Sequence, residues 1–477
     1  MQHHRLFTLL HLGEVMSQRN TDENKEANDS ARVAFVLPNL NVGGAQTVAC
    51  EVASRLAKQG HQVSMILLNH SLDRAVNFPD ESVQMYTANA KHRAGLHLSR
   101  EILLSGQYLR IKPRQFPDRG STIDSLEPFR RLHRKFGHPL VLTAPAISTV
   151  RRLIRYLRRS IGGLRRLLSA TSPSLGLAGL FHPEFRTMLR LRKTLQDLDV
   201  DAAVSFLTNT NVLAIFASRG QSWRLVISER NDPARQKVRW PTRVLRKRWY
   251  READVVSANS NIDDGVSQTF LGVQSTTYLP NPVSLDISIA QRAEVPVISF
   301  VGRLVPQKNV DLLIRACQPL MMTGIVGRLD IVGDGSERES LIELANTLGI
   351  GSRVEFHGFH DNPWKFVSGA WCLVLPSDFE GTPNSALEAL ARGIPVICAS
   401  GSPGPSELVR QVDARLIFTE GSRVDLTRAL ALVCSESFTE RDISSECQAA
   451  VRLFEWESIQ TIWLQALGRR GVAEQDL

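Results

Sequence analysis

The chain has few cysteines for its 477 residues, and no two of them form a Cys-x-x-Cys pair. Clustered cysteines are typical of zinc sites and disulfide frameworks, so the sequence excludes both. Several of the six fall in apolar strand or helix patterns, which predicts buried thiols in a reducing compartment. The six are Cys50, Cys317, Cys372, Cys398, Cys434 and Cys447.

Long apolar runs are also lacking. No run reaches the ~20 residues that a helix needs to span a bilayer, and residues 6–12 are too short and too rich in histidine for a signal peptide. The polar residues 17–30 predict a disordered tail over residues 1–30, with Met16 as an alternative start. What the chain does have is an apolar fraction of 43% and a length that predicts two domains.

Apolar strand patterns alternate with helix patterns from residue 32 onward, in two series. Repeated βα units predict doubly wound parallel sheets, hence an α/β protein with two Rossmann-like domains and a ligand cleft between them. The predicted strands are residues 33–37, 63–68, 202–207, 225–228 and 254–257 in the first series, and 297–301, 329–332, 354–356, 373–375 and 396–399 in the second.

The domain boundaries follow from breaks in this rhythm. Residues 279–283, L-P-N-P-V, and the polar stretch after them are the best linker, which predicts a first domain over residues 31–285 and a second over 286–453. An insertion at about residues 70–180, rich in Arg, His and Lys, elaborates the first domain. An apolar helix at 3.6 spacing over residues 454–467 predicts packing residues.

The most informative stretch is residues 377–408, which opens S-D-F-E-G-T-P-N-S-A-L-E-A-L-A-R-G-I-P-V. It predicts a strand, a turn, a helix and a second strand. Pro383 suits the first turn of that helix and Gly393 its C-cap. The backbone N–H groups of Thr382, Asn384 and Ser385 would then leave a helix N-terminus, which is a ready anion site.

Two carboxylates accompany this anion site, Glu380 on the turn and Glu388 in the helix. A carboxylate does not assist phosphate binding, so we predict that each contacts hydroxyls of a sugar or a ribose. The alternative is a solvated glutamate and a helix-surface glutamate. A second motif, residues 300–316, places Gly302, Arg303 and Lys308 at a strand–loop–helix junction suited to a diphosphate; here the alternative is a pair of solvent-facing cations.

These motifs resemble those of family 4 of the retaining glycosyltransferases, which have the GT-B fold and an E-x7-E signature. The spacing from Glu380 to Glu388 fits, as do E-G-x-P, L-E-A, G-x-P-V and the G-R-L-x-x-x-K pattern; Asn309 stands where glycine is commoner. The resemblance covers most of residues 32–68 and 202–467. Its branch resembles enzymes of bacterial lipid-linked saccharide assembly.

The resemblance implies a nucleotide diphosphate sugar as co-substrate, with no cofactor and no metal; a D-x-D at a strand end and a histidine cluster are both lacking. It implies that Arg303 and Lys308 neutralise the diphosphate, that Glu388 holds the ribose and that Glu380 contacts the transferred sugar. It also implies that the C-terminal helix, residues 454–477, crosses back to the first domain. The other predicted donor-binding residues are Gly302, Gly381, Thr382, Asn384, Ser385 and Gly44.

The motifs in the first half of the chain are less specific than those in the second half. In G-G-A-Q, residues 43–46, the glycines allow close backbone approach to a ligand, or form only a tight turn; the family usually has Glu at Gln46. S-E-R-N-D-P, residues 228–233, ends a predicted strand, where an open sheet binds ligands. Its candidates for acceptor contacts are Glu229, Arg230, Asn231 and Asp232, although Asn and Asp also commonly cap helices.

Residues 150–168, V-R-R-L-I-R-Y-L-R-R-S-I-G-G-L-R-R-L-L, place leucine and isoleucine on one helical face and arginine on the other. A basic amphipathic helix is typical of an anionic membrane surface. The alternatives are a helix packed on the domain and a nucleic-acid contact, and the single aromatic residue, Tyr156, weakens the latter. The predicted membrane contacts are Arg155, Arg158, Arg159 and Arg166.

The sequence thus favours a retaining, hexosyltransferase-type enzyme that moves sugar from a nucleotide diphosphate sugar to a glycan, lipid-linked acceptor in surface or exopolysaccharide assembly. We expect it in the cytoplasm, peripheral on the inner face of the cytoplasmic membrane, without nucleic acid as a partner. The alternatives are a nucleotide-sugar epimerase of the same fold and a nucleic-acid-binding module that uses the arginine-rich helix.

Overall fold

The computed structural model of the chain describes residues 30–41, 43–69, 79–88, 96–97, 183–285, 288–441 and 443–468. Met1–His97 and Thr187–Leu477 form one compact unit, and Leu98–Arg186 form another. Only residues 183–186 of the second unit are among the described residues. The predicted arginine-rich helix, with Arg155, Arg158, Arg159 and Arg166, therefore lies outside them, as does the predicted tail up to residue 29.

The first domain is built on an eight-stranded sheet in the order β4-β3-β2-β1-β5-β6-β7-β8. All pairs are parallel except β3 with β4. The middle strands are apolar and buried on both faces, as central strands of a covered parallel sheet must be. The strands are β1 (Arg32–Leu37), β2 (Gln62–Leu67), β3 (Gln84–Thr87), β4 (Leu96–His97), β5 (Ala202–Phe206), β6 (Arg224–Glu229), β7 (Val255–Ala258) and β8 (Thr277–Tyr278).

The helices of the first domain connect these strands. They are α1 (Gly44–Lys58), α2 (Pro183–Asp197), α3 (Thr208–Ser218), α4 (Trp240–Trp249) and the short α5 (Asp264–Val266), which runs into a π-turn at Ser267–Leu271. A 3-10 turn, Tyr250–Glu252, extends α4.

The second domain has a six-stranded parallel sheet in the order β11-β10-β9-β12-β13-β14. Its strands are β9 (Val297–Val301), β10 (Arg328–Val332), β11 (Val354–Gly358), β12 (Cys372–Leu375), β13 (Val396–Ala399) and β14 (Ile417–Phe418). Its helices are α6 (Val310–Met322), α7 (Arg338–Thr347), α8 (Trp364–Val367), α9 (Asn384–Ala391), α10 (Pro403–Val412), α11 (Arg423–Val433), α12 (Glu436–Thr439) and α13 (Ile443–Val451).

The C-terminal helix α14 (Trp456–Leu467) returns to the first domain, as the family resemblance implies. Trp463 is fully buried and donates its indole N–H to the carbonyl of Pro280 at 3.0 Å. Arg224 at the start of β6 donates to the carbonyl of Ala466 at 2.8 Å. The apolar pattern of residues 454–467 is therefore a packing pattern that closes one domain onto the other.

The prediction of two Rossmann-like domains is confirmed, with three corrections. The strand β3 lies inside the predicted insertion at about residues 70–180 yet continues the parallel sheet, so that segment is not all insertion. The helix α2 follows this segment and corresponds to no helix predicted from the sequence pattern. The sequence pattern after the predicted strand at residues 202–207 predicts a helix from Asn211, but α3 begins at Thr208, because Leu207 takes a left-handed φ of 74° and turns the chain sharply after β5.

The described cysteines are all free thiols, and five of the six are buried. Burial raises the pKa of Cys50 and of Cys398 to about 12 in each case, because the surrounding protein disfavours the thiolate. The prediction of buried thiols is confirmed for these five, and Cys434 is half-buried.

Candidate active site

One cavity of about 780 Å³ lies between the two domains. Its walls come from the segments that follow the carboxyl ends of strands in both sheets, which is where open α/β sheets bind ligands. The sequence-predicted catalytic, donor-binding and acceptor-side residues line it, except Asp232, which is not part of the lining. Those that line it are Glu380, Arg303, Lys308, Glu388, Gly302, Gly381, Thr382, Asn384, Ser385, Gly44, Glu229, Arg230 and Asn231.

The loop after β9 supplies the two predicted cations. Arg303 is exposed to solvent, and Lys308 ends the 3-10 turn Pro306–Lys308. Asn309 follows with φ 52° and ψ 42°, which explains why a glycine is commoner there: this is the left-handed region that asparagine tolerates best among residues with a side chain. The turn thus aims Lys308 into the cavity before α6 begins.

A glycine in the loop after β10 allows that loop to pack closely against the loop after β9. Gly333, after β10, has φ 144°, and a Cβ there would stand 1.8 Å from the carbonyl oxygen of Gly302. Any side chain at position 333 would displace the Gly302–Arg303 backbone. The turn that contains Gly333, I-V-G-D-G at residues 331–335, therefore determines the shape of the cavity floor.

Lys308 forms an ion pair with Glu380 across the cavity floor. Both side chains are 12% exposed, so the pair is partly shielded from water. Gln307 fixes the glutamate's loop by donating to the carbonyl of Phe379 at 2.8 Å, and Asn309 donates to Asp378 at 3.2 Å. The two predicted catalytic groups are thus in contact. A diphosphate would have to share or displace this ion pair, whereas Arg303 pairs with no carboxylate of the described residues.

The helix α9 begins as predicted, with Pro383 at its N-cap and no side-chain cap. Gly393 ends it with φ 72°. Asn384 and Ser385 stand in the first turn, where backbone N–H groups lack partners within a helix and favour negative charge. An anion-binding end therefore faces the same cavity as Arg303.

Glu388, one turn further along α9, is held in the cavity wall. Trp364 donates its indole N–H to Oε2 of Glu388 at 2.7 Å, which leaves Oε1 for a hydroxyl. The Arg392 guanidinium stacks 4.4 Å from the centre of the Trp364 ring and donates to the backbone carbonyl of Glu388 at 2.9 Å. Burial raises the pKa of Glu388, opposed by the hydrogen bond from Trp364 and the charge of Arg392.

The first domain forms the opposite wall with the Gly43–Gly44 turn. Gly44 accepts a hydrogen bond on its carbonyl from the side chain of Asn384 at 3.3 Å, so this turn meets the start of α9. Gln46 folds back against Gly43, where a Cβ would stand 2.5 Å from its Oε1. The two glycine-bearing loops, one from each domain, therefore meet at the cavity.

The acceptor-side candidates divide into two kinds. Asn231 and Asp232 make local bonds, since Asn231 accepts from the N–H of Asp232 at 3.1 Å and Asp232 accepts from that of Ala234 at 2.8 Å. These bonds stabilise a turn and cap no helix, since the next helix begins only at Trp240 with Arg239 as its N-cap. Glu229 also lines the cavity, but it is 1% exposed and its carboxylate accepts from the hydroxyls of Tyr250 and Thr208.

Burial sets the ionisation of this buried group and its neighbour. It raises the pKa of Glu229 and that of Tyr250 as well. It lowers the pKa of Arg230 to about 9, because that guanidinium has only a 3.4 Å bond to the carbonyl of Leu279 and a stacking contact 5.1 Å from the Phe206 ring centre. The first-domain wall therefore holds its charges inside the protein.

Two asparagines were missed by sequence reasoning. Asn259, after β7, and Asn281, in the segment predicted as a linker, both donate to the carbonyl of Thr382, at 3.0 and 2.9 Å. The hydroxyl of Thr382 donates a hydrogen bond to the carbonyl of Asn259. The side chain of Asn281 also donates to the side-chain oxygen of Asn384 at 2.7 Å. The N in L-P-N-P-V was the available signal, but its partner lies 101 residues away.

One group of potential metal ligands occurs among the described residues, outside the lining of the cavity. Asp330, Glu355 and His357 offer ligand atoms within 4.8 Å of one another. Arg328 already lies 3.0 Å from Asp330 and 3.6 Å from Glu355. Its positive charge compensates these carboxylates, which disfavours a further cation.

The fold is shared with solved glycosyltransferase structures. The lipopolysaccharide outer core galactosyltransferase WaaB, in its apo form, aligns over 91% of this chain and 99% of its own with a TM-score of 0.57 and 18% identity. Anabaena Alr3699/HepE in complex with UDP aligns over 91% and 98% with a TM-score of 0.59 and 18% identity. The protein has the GT-B fold, as predicted.

The sequence comparisons fall mainly on the second domain. Residues 286–448 match the family described as Glycosyl transferases group 1. A Campylobacter jejuni protein, N-acetylgalactosamine-N,N'-diacetylbacillosaminyl-diphospho-undecaprenol 4-alpha-N-acetylgalactosaminyltransferase, is 26% identical over 281 residues, which are 56% of this chain and 76% of that protein. No helix among the described residues is long and apolar enough to cross a membrane.

Proposed function

We propose that this protein is a retaining glycosyltransferase that moves a sugar from a nucleotide diphosphate sugar to a lipid-linked glycan. The observation that carries the proposal is the convergence, in one cavity, of Arg303, Lys308, the N-terminus of α9, Glu380 and Glu388. The match of residues 286–448 to Glycosyl transferases group 1 supports transfer over the epimerase and nucleic-acid alternatives.

Charge complementarity supports the donor class. Departure of a nucleoside diphosphate leaves negative charge on the phosphate, and fixed cations and helix N–H groups aimed at it stabilise the transition state. Arg303 and the first turn of α9 supply such groups, and Lys308 can exchange Glu380 for the phosphate. Glu388 would then hold the ribose and Glu380 the transferred sugar. The proposed transfer requires no metal ion.

The acceptor is proposed from the relatives. The Campylobacter jejuni protein is named for a diphospho-undecaprenol acceptor, and WaaB for the lipopolysaccharide outer core. A lipid-linked saccharide would be met at the inner face of the cytoplasmic membrane, where the predicted arginine-rich helix at residues 150–168 would bind anionic lipid. The pathway would be the assembly of a surface polysaccharide or exopolysaccharide.

A panel of nucleotide sugars tests the donor. A true donor should raise the melting temperature of the purified protein and be slowly hydrolysed by it, because a ligand bound only by the folded state stabilises that state. The anomeric configuration of the released sugar, followed by NMR, should match that of the donor. A panel that yields neither stabilisation nor hydrolysis, with the protein folded, would refute the proposed donor class; an inverted product would refute retention.

A further inference from the structure

We propose that the outer face of α4 is a docking surface for an anionic phospholipid bilayer. The helix and the turn after it run from Trp240 to Glu252, and residues 233–251, up to that glutamate, contain no acidic residue. Six cations there are exposed, and none lies within ion-pair distance of a carboxylate of the described residues. They are Lys237, Arg239, Arg243, Lys247, Arg248 and Arg251.

The same face carries exposed apolar side chains. Trp240 is 51% exposed and Val244 is 39% exposed. They stand four residues apart, so they are neighbours on the helix, and Arg243, Lys247 and Arg251 continue the same side at helical spacing. A tryptophan and an aliphatic residue surrounded by cations match the interface of an anionic bilayer, where indole rings settle at headgroup level and cations meet lipid phosphates.

The opposite face of α4 packs against the first domain, whereas the side chains of its outer face are exposed among the described residues. Leu245 is buried, and the Trp249 ring packs 5.5 Å from that of Phe216 on α3. The carbonyl of Lys247 lies so close to Gly272, which has φ 74°, that a Cβ there would stand 2.0 Å from it. A helix held in this way presents its cations on a rigid support.

The surface also connects to the cavity. Arg246, 1% exposed, points inward from α4 and donates to the side chain of Gln236 at 3.2 Å and to the carbonyl of Pro233 at 3.1 Å. Gln236 lines the cavity. One helix, about 10 Å across, therefore separates the proposed lipid contact from the cavity wall.

This placement rests on the proposed function and sharpens it. A bilayer against α4 would bring the sugar end of a lipid-linked acceptor near the first-domain wall of the cavity. A nucleic acid would also be attracted to six cations, but single-strand platforms add several aromatic side chains, and this face has only Trp240 exposed. The bilayer is therefore the better match.

Two matched triple variants of the full chain test the surface. One changes Arg243→Gln, Lys247→Gln and Arg251→Gln; the control changes the exposed Arg410→Gln, Arg423→Gln and Arg452→Gln in the second domain, with the same loss of charge. Binding to vesicles of phosphatidylglycerol mixed with phosphatidylcholine is compared with binding to phosphatidylcholine alone. The α4 triple should partition roughly a hundredfold more weakly than wild type, while the control should change little. Salt should weaken wild-type binding.

Trp240 provides a direct probe, because it is the exposed member of the seven tryptophans, all of which are described. Brominated lipid should quench part of the fluorescence of the wild type, and Trp240→Phe should remove that part. Equal binding of the two triples would overturn the proposal, as would absence of quenching at Trp240. Loss of duplex DNA binding in the α4 triple, with vesicle binding intact, would overturn it in favour of nucleic acid.

The surface and the proposed function can fail separately. If both hold, the α4 triple should lose transfer to a lipid-linked acceptor yet keep donor hydrolysis, which uses only the cavity. If no donor is ever used but the vesicle and quenching results hold, the glycosyltransferase proposal fails and the docking surface stands. If donors are used and the α4 triple binds vesicles like the control, the surface fails alone.

Discussion

The two walls of the cavity use charge in opposite ways. On the second-domain wall, Arg303 is exposed, and Lys308 and Glu380 hold each other at the cavity floor. On the first-domain wall, Glu229 is buried under Tyr250 and Thr208, and Arg230 is buried enough for its pKa to fall to about 9. The same residue types therefore serve ligand contact on one wall and internal structure on the other.

This difference follows from what each wall has to do. A charged side chain that contacts a ligand must remain accessible to it. Removing such a side chain therefore lowers the free energy of unfolding only slightly. A buried charge contributes through its partners, and removing a partner leaves it unsatisfied. Substitutions on the second-domain wall should therefore lower activity before stability, whereas removal of a partner of the buried charge on the first-domain wall should lower stability first.

The largest effect is expected at the two cations. Arg303→Ala and Lys308→Ala should each lower transfer roughly a hundredfold at saturating donor, which is ~3 kcal/mol of transition-state stabilisation, comparable with the loss of one oxyanion donor. The melting temperature should stay near that of the wild type for Arg303→Ala. Turnover numbers and thermal melts of the purified variants check this, with the exposed Arg423→Ala as control. Wild-type turnover in either cavity variant would contradict the division between the walls.

Glu388 and Glu380 sharpen the comparison within the second-domain wall. Glu388→Gln should weaken binding of a bare nucleoside diphosphate, because Glu388 is proposed to hold the ribose. Glu380→Gln should act mainly on turnover, since Glu380 is proposed to meet the sugar, which the bare nucleotide lacks. Calorimetry with the nucleoside diphosphate measures the first effect and steady-state kinetics the second. Equal loss of affinity in both variants would refute the separate roles.

Local pattern was enough to predict most of the second domain. The strands β9 and β13 have the predicted bounds, and α9 begins at Asn384 and ends before Gly393 as expected, because capping and turn chemistry act over a few residues. The left-handed conformation of Asn309 accounts for the departure from the family pattern in the second domain.

Contacts between residues that are far apart in the chain could not be predicted from the sequence. The carboxylate of Glu380 meets Lys308 from 72 residues away, and Thr382 receives Asn259 and Asn281 from 123 and 101 residues away. No periodicity encodes such pairs. Glu229 lines the cavity at the end of a strand, as its position in the sequence indicates, but only the packed position of Tyr250 reveals that its carboxylate is buried.

The asparagine contacts join the two walls and should give an intermediate effect. Asn281→Ala removes a donor to Thr382 and Asn384, which leaves Asn259 as the remaining side-chain donor to the carbonyl of Thr382. We expect transfer to fall by the worth of about one or two hydrogen bonds, ~1–2 kcal/mol or roughly tenfold. Kinetics with Asn281→Ala and Asn259→Ala, singly and together, measure this. Additive losses in the double variant would show that the two asparagines act independently and not on one shared carbonyl.

The smallest effect on transfer is expected on the first-domain wall, where substitutions should act on stability and its pH dependence. Burial raises the pKa of Glu229 above its unfolded value of ~4.3. The folded state therefore holds this proton more tightly, so the stability it contributes is present below pH ~4.3 and is lost as the pH rises through the folded pKa. Gln has no such proton, and its amide can still accept from Tyr250 and donate to Thr208. Glu229→Gln should therefore be at least as stable as the wild type at neutral pH, with a flatter free energy of unfolding between pH ~4.3 and neutrality.

Tyr250→Phe is the matched change, because it keeps the ring and removes the hydroxyl that Glu229 accepts from. It should lower the free energy of unfolding by ~1–3 kcal/mol at neutral pH, since a buried carboxylate loses its hydrogen-bond donor. In the Glu229→Gln background the same change should cost less, because the group left behind is neutral. Urea unfolding of the four proteins at several pH values measures both slopes. If Tyr250→Phe costs as much beside Gln as beside Glu, the charge of Glu229 is not what Tyr250 stabilises, and the contrast between the two walls would rest on packing alone.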